Sequence, residues 1–349
     1  MQDALDPDDY PPRTESPGLD LIPSGANMSE NPSSKKVVLA ALLGDLLVAF
    51  TKAGAAAWTG SSAMLSESVH SFADTSNELL LLYGMSRSVR RADPEHPLGY
   101  GRELYFWSFI VALQVFALGA GVSIYEGVVH LCHPEPITKP LVNYLVLGLA
   151  FLFDGRSWLI SLRRFRAARG SFGYYQAFRR SKDPVTFVVL FEDSAALIGI
   201  LIAALGTFAA TSLHMPAYDG IASILIGLVL VGTASLLARE SKSLLIGERA
   251  DGKLSDQILR IAQQTSPALR ANGVLTVQLA PDQILAALSI EFADDLRTPQ
   301  IEIAVVDIES KIRAAHPEVV TLFVKPQTEA EFKDTVRRRF EYPLAGSSL

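Results

Sequence analysis

Six stretches of the chain are mainly apolar over about the 20 residues that a helix needs to cross a hydrocarbon core. They are Val37–Trp58, Ala63–Met85, Leu104–Leu131, Leu141–Leu162, Pro184–Ala209 and Tyr218–Ala238. This pattern predicts a membrane all-α six-helix bundle over residues 35–243. Five of the stretches would insert on hydropathy alone. The second is interrupted: LSESVHSFADTSNELLLLYG, residues 65–84, carries Glu67, His70 and Asp74, with Asn77 and Glu78 close behind. An ionisable residue near the middle of a membrane helix costs roughly 2.5–3.5 kcal/mol on insertion scales, so this segment needs a reason to be in the membrane.

The distribution of basic residues gives an independent test, because loops on the cytoplasmic side are enriched in Lys and Arg. If all six segments span, one side collects Lys35, Lys36, Arg87, Arg90, Arg91, Arg102 and the run Arg163–Lys182, with Arg239 and Lys242 after the last span. The other side receives TGSS, LCHPEPITK with Lys139 alone, and TSLHMP. Removing the second span moves every later loop across the membrane and destroys the asymmetry. Six spans with both termini in the cytoplasm are therefore expected.

After residue 240 the chain reads as an ordinary soluble domain, 244–328: helix (about 254–266), strand (273–280), strand (283–292), helix (298–316) and strand (319–326). The turn Pro281-Asp282 parts two apolar runs, and Ile301, Val305, Ile308 and Ile312 mark the buried side of the second helix. This αββαβ order suits a two-layer α+β domain. Residues 1–34 are polar and rich in Pro, Ser and Asp and are expected to be a disordered tail; residues 329–349 are expected to be a second tail. The first stretch has neither the apolar core of a signal peptide nor the basic character of a mitochondrial transit peptide.

Composition narrows the function. Apolar residues make up 49% of the 349 and charged ones 19%, below the quarter usual for soluble domains. A net charge of −6 leaves no large basic face for nucleic acid. A single cysteine, Cys132, excludes an internal disulfide and a cysteine-based zinc cluster. With no nucleophile–base pair and no nucleotide loop, the chain does not read as an enzyme.

Residues 67, 70, 74 and 77 step by three, four and three, and so share one helix face. Polar groups in a membrane span turn toward the bundle or a wet cavity. His70 and Asp74, four apart, can chelate one ion, and FEDSAALIG in the fifth stretch offers Glu192 and Asp193. At 1.5 Å per residue, His70 and Asp74 lie roughly 10–16 Å below the outer end of their helix and Asp193 roughly 13 Å above the inner end of its own, so all approach the midplane. Asp45, Lys52, Asp154, Arg156 and Glu126 read as structural ion pairs or interface residues. His130, Cys132 and His133 read as a solvated outer loop, His96 as a loop or capping histidine, and His316 as a helix end with no function.

With SESVHSFAD, HPLGYG, SIYEG and FEDSAA set on this six-span plus αββαβ plan, the chain resembles the cation diffusion facilitator family over residues 37–326. The FED of the fifth span is similar to the branch containing the animal mitochondrial zinc transporter. The resemblance implies a homodimer, joined through a ferredoxin-like C-terminal domain, that exports a divalent metal, zinc first, in exchange for protons. The metal and the protons are substrate and counter-ion, with no resident cofactor. It implies a central site of two ligands from span two and two from span five: His70, Asp74 and Asp193 match three of these. The fourth position is Val189, which cannot bind metal, and Glu192 is the candidate to replace it. A second histidine often found in the family's cytoplasmic loop stands here as Tyr100, so that loop is expected to bind metal weakly or not at all. Manganese, iron or cobalt as cargo is the alternative within transport, and a non-transporting regulatory or scaffold subunit is the alternative outside it. The expected location is the cell membrane, a bacterial inner membrane, with divalent metal, the lipid bilayer and a second copy of the chain as partners.

Overall fold

The computed structural model describes residues 32–169, 182–265 and 267–340. By contacts the chain divides into Met1–Leu39 and Ala40–Leu349; of the first unit, the described part is the start of a helix. The expected tails at 1–31 and 341–349, and the basic run at 170–181, lie outside the described residues.

Six long helices occur among the described residues: α1 (Pro32–Thr59), α2 (Ser62–Ser88), Glu103–Cys132, α5 (Pro140–Arg169), α6 (Pro184–Ser212) and α7 (Ala217–Ile246). The third of these consists of α3 (Glu103–Gln114), a π-helical segment Val115–Ala120 and α4 (Gly121–Cys132). Four are long and apolar enough to cross a membrane by length and composition: Glu103–Cys132, the Pro140–Arg163 part of α5, α6 and α7. α1 and α2 are as long, at 28 and 27 residues, but carry Asp45 and Lys52, and Glu67, His70, Asp74 and Glu78 respectively. The protein is a multi-pass membrane protein with a helical membrane domain.

α4 and α7 approach closely because two glycines leave room for backbone on backbone. A Cβ on Gly127 would lie 2.6 Å from Ile224 Cγ1 and 2.7 Å from the Gly220 carbonyl oxygen, and one on Gly220 would lie 2.9 Å from the Gly127 oxygen. The contact is reinforced by a hydroxyl chain: Ser66 on α2 meets Ser223 on α7, which donates to the Ser123 carbonyl on α4 at 2.7 Å.

The start of α2 is fixed in the same way, by a partner on another helix. Asp219, fully buried in the first turn of α7, accepts hydrogen bonds from the Ser61 hydroxyl (2.8 Å), the Ser62 hydroxyl (3.2 Å) and the Ala63 N–H (3.2 Å). Ser61 itself caps α2 by accepting from the Met64 N–H. A carboxylate at a helix N-terminus satisfies orphan donors and complements the dipole. The polar helix is thereby held in rotation and depth at its first turn.

Beyond α7 lie α8 (Gly252–Gln264), β1 (Ala268–Ala280), β2 (Gln283–Phe292), α9 (Thr298–Ala315), β3 (Val319–Pro326) and α10 (Glu329–Phe340). The sheet has order β1-β2-β3, with β1 antiparallel and β3 parallel to β2. Ile258, Ala286, Leu288, Ile290, Ile308 and Val319 form its core with α8 and α9. This is a small mixed sheet backed by helices. Two features differ from the expectation. β1 starts at Ala268 rather than 273, because register shifts at Ala268/Arg270 and Ala271/Gly273 let it stay paired through a stretch with no alternation. α10 occupies the start of the presumed tail, its Phe332 seated where a Cβ on Gly273 would fall, 2.3 Å from the ring.

The close approach at Gly127 sets a test of the packing. Because two of the atoms that a new methyl would meet are backbone, the helices must separate, at about 1–3 kcal/mol. Gly127→Ala is expected to lower the thermal unfolding midpoint of the detergent-solubilised protein by several degrees. Gly148→Ala, where nothing lies within 4 Å, is expected to leave it unchanged or higher.

Candidate metal centre

The face of α2 predicted to be polar does point into the bundle. Glu67 and Asn77 are fully buried and His70 is 1% exposed. His70 Nδ1 lies 3.3 Å from Asp74 Oδ1, as expected for residues one turn apart. Neither ring nitrogen of His70 has a hydrogen-bond partner, and Asp74 Oδ1 has none. Buried polar atoms are nearly always paired; these have only each other, at 3.3 Å, an arrangement suited to a cation.

The α6 residues arrive from the other side in two different engagements. Glu192, 6% exposed, accepts a hydrogen bond from Asn77 Nδ2 at 2.7 Å, while Asn77 Oδ1 is left without a partner. Asp193 turns toward α5, where the Ser157 and Ser161 hydroxyls donate to its Oδ2 at 3.2 and 3.1 Å. The neighbouring Trp158 indole N–H donates to the Ser194 hydroxyl at 2.9 Å. Val189 packs beside Leu81, Tyr105 and Phe187, an apolar role. The structure thus pairs His70 with Asp74 and Glu192 with Asn77, and leaves Asp193 on the serines. Among the described residues no three His, Cys, Asp or Glu side chains converge closely enough to hold a metal ion.

One turn nearer the N-terminus of α2 lies a second charged group. The Lys52 ammonium, fully buried, donates to Ser71 Oγ at 2.9 Å and pairs with Glu67 Oε2 at 3.2 Å and Asp154 Oδ2 at 3.7 Å. Lys52 and Asp154, expected to serve as structural ion pairs or interface residues, thus meet in one ion-pair group in which Glu67 is the nearer partner of the ammonium. Asp219, Ser157 and Ser161 were not singled out from sequence, whereas Asn77 was placed on the polar face of α2. A helical-wheel projection carries a signal for Asn77 alone.

The other histidines fall where no site forms. Cys132 and His133 are exposed, whereas His130 is buried in the last turn of α4 rather than solvated. His316 ends α9 with Nδ1 3.2 Å from Glu318 Oε1. The HPLGYG loop is organised around Tyr100: its hydroxyl donates to Asp93 Oδ2 at 2.6 Å, His96 stacks on its ring at 4.3 Å, and the Arg87 and Arg90 guanidinium groups lie over it at 5.7 and 5.6 Å. The Tyr100 hydrogen bond holds the Asp93 carboxyl below the usual carboxylate range, and the same bond raises the Tyr100 phenol.

The helical domain thus keeps an imidazole, several carboxylates and an amide in its interior. A family profile described as the cation efflux transmembrane domain matches residues 38–246, more than half the chain. The chain is 37% identical over 241 residues to the proton-coupled zinc antiporter SLC30A9, mitochondrial, of Xenopus laevis, covering 68% of this chain and 42% of the relative. It is 35% identical over 241 residues to the human protein of the same name, with the same coverage. It is 35% identical over 236 residues to metal tolerance protein C4 of Arabidopsis thaliana, covering 67% and 51%. The chain therefore belongs to the cation diffusion facilitator family, near the SLC30A9 branch. It spans about half the length of these relatives or less. Their names do not support the bacterial inner membrane expected from sequence, since SLC30A9 is mitochondrial by name.

The loop supplies a pH test with a definite sign. A carboxyl whose proton affinity falls on folding stabilises the folded loop above its ordinary range, and that stability is lost as pH falls through the depressed value. Tyr100→Phe removes the hydrogen bond responsible. Carbon-detected NMR titration is expected to show Asp93 moving up toward the ordinary value, with hydrogen exchange in residues 93–99 accelerating at a higher pH than in the parent protein.

Proposed function

We propose that the protein exports a divalent metal cation, zinc first, in exchange for protons, by alternating access around His70, Asp74, Glu192 and Asp193. The observation that carries this reading is the buried His70 beside the partly buried Asp74, 3.3 Å apart, with no further partner for either imidazole nitrogen or for Asp74 Oδ1. A cation seated between the two side chains would satisfy those atoms without new protein contacts. The proposed topology is six spans with both termini in the cytoplasm, resting on the Lys and Arg asymmetry of the loops. The proposed soluble domain, from residue 244, is a variant of the ferredoxin-like plan and carries the dimer contact. Leu275 and Phe323, exposed at 40% and 58%, lie in register with Ala287 on the face of the sheet away from α8 and α9, an apolar row suited to a second copy.

Metal loading needs a rearrangement. Asp193 is engaged by two serines of α5 and Glu192 by Asn77, so a cation entering between α2 and α6 must draw these carboxylates toward His70 and Asp74. The competing pull of Ser157, Ser161 and Asn77 gives a second state to return to after release. Imidazole binds metal only when neutral, so protonation of His70 from the far side helps eject the ion and its loss toward the cytoplasm readmits the next. Any membrane with a suitable proton gradient serves.

Manganese is the second reading, favoured by one observation: Val189 is committed to apolar packing, leaving one nitrogen among carboxylates, and carboxylates suit manganese better than zinc.

Asp74→Ala and Asp193→Ala are each expected to abolish metal uptake by proteoliposomes while the protein still folds and dimerises. Near-normal uptake by either would sink the site. Glu192→Gln is expected to weaken metal affinity at least tenfold, and unchanged affinity would assign Glu192 to packing. Val189→His is expected to raise the zinc-to-manganese uptake ratio.

The topology is checked with membrane-impermeant thiol reagents on intact cells or vesicles of known sidedness. Cys132, exposed at the end of α4, is expected to label from the outer side. A cysteine at Ser255 on a Cys132→Ser background is expected to resist, and its labelling would overturn the six-span arrangement.

A further inference from the structure

Lys52 is an anomaly for a residue of its type. A lysine in a membrane helix ordinarily extends toward the interface, yet this one is fully buried and turned inward. Its ammonium meets three oxygens from two other helices: Ser71 Oγ at 2.9 Å and Glu67 Oε2 at 3.2 Å on α2, and Asp154 Oδ2 at 3.7 Å on α5. The seat is built on a fourth side as well. Glu67 Oε1 has no hydrogen-bond partner, and a Cβ at Gly199 of α6 would lie 2.2 Å from it, so that oxygen fits only because position 199 has no side chain. Two carboxylates and a hydroxyl are the donor set of a hard cation such as Mn²⁺. The ammonium stands where such an ion would sit, and the seat has one more acceptor than the ammonium uses.

We propose that Lys52 is a tethered cation occupying a second cation position of the bundle, made by Glu67, Ser71 and Asp154, and that it keeps this position closed to divalent ions. Ser71 adjoins His70 and Glu67 lies one turn toward the start of α2, so the position borders the proposed metal centre. Were it vacant, its carboxylates would compete with that centre for the cargo and could retain an ion after release. A charge fixed to the chain cannot be carried away, so each cycle involves one metal per chain. That last consequence rests on the transport reading, but the existence of the position does not.

The test counts Mn²⁺ bound per chain, from the electron paramagnetic resonance signal of the free aqua ion, on the full chain in lipid nanodiscs. Lys52→Ala is expected to bind one equivalent more than wild type. Lys52→Arg, which keeps a tethered cation, and the double variant Lys52→Ala/Glu67→Gln, which removes the main ligand, are expected to match wild type. A count unchanged in Lys52→Ala, or an extra ion that survives Glu67→Gln, overturns the proposal. If Lys52→Ala fails to fold in metal-free buffer, recovery on adding Mn²⁺ supports the proposal, and failure with Mn²⁺ present overturns it. The wild-type count reads the central site separately. No ion in wild type and one in Lys52→Ala would rule out manganese as cargo of the central site and leave the tethered cation standing.

Discussion

The Lys52–Glu67 ion pair is the interaction around which the membrane domain is arranged. Both side chains are fully buried, and taking either charge out of water costs several kcal/mol unless the other is present in good geometry. Breaking such a pair by removing one partner costs about 3–5 kcal/mol, far more than a surface pair contributes. The pair joins the consecutive helices α1 and α2, and the flanking Asp154 on α5 and Gly199 of α6, which closes the space around it, bring in helices remote in sequence. Four of the six long helices are thus committed to one charged group. Placing α2 so that Glu67 reaches Lys52 turns His70, Asp74 and Asn77 into the same interior, because residues three and four apart share a face.

Against this tied group stands a second set of helices held mainly by shape. α4 and α7 interlock through Gly127 and Gly220, with the Ser66 and Ser223 hydroxyls and the Ser123 carbonyl joined alongside. Asp219 links the two sets, since it belongs to α7 and caps α2. The rigid contact fixes where α2 begins, and the charged group fixes how it is rotated. The face proposed to bind metal depends on both.

How much of this was legible in sequence follows from the kind of pattern involved. The face of α2 was legible because periodicity along one helix needs no partner: Glu67, His70, Asp74 and Asn77 had to lie together. The rise per residue supplies the expectation that Asp74 and Asp193 lie at similar depth. What could not be read was engagement between helices. Ser157 and Ser161 are unremarkable residues in an apolar stretch, and only the three-dimensional rotation of α5 against α6 makes them the partners of Asp193. Asp219 carries no sequence signal of its own, because its partners are at the start of α2, 156 residues away in sequence. The early start of β1 was hidden because register shifts allow a strand to persist where alternation fails.

The separation of Asp193 from the His70–Asp74 pair has a physical meaning of its own. A carboxylate left bare in an apolar bundle is costly, so a transporter's ligands need partners in the metal-free state that are good enough to hold them and weak enough to release them. Neutral hydroxyl and amide donors meet that requirement, since each hydrogen bond contributes only about 0.5–3 kcal/mol net, whereas a lysine or arginine beside Asp193 would compete with the cargo as a permanent ion. The structure keeps these roles apart. Ser157, Ser161 and Asn77 hold the carboxylates proposed to bind metal, and the fixed ammonium of Lys52 is spent on Glu67 and Asp154. That division allows a buried lysine and a cation site to share one membrane interior without one neutralising the other.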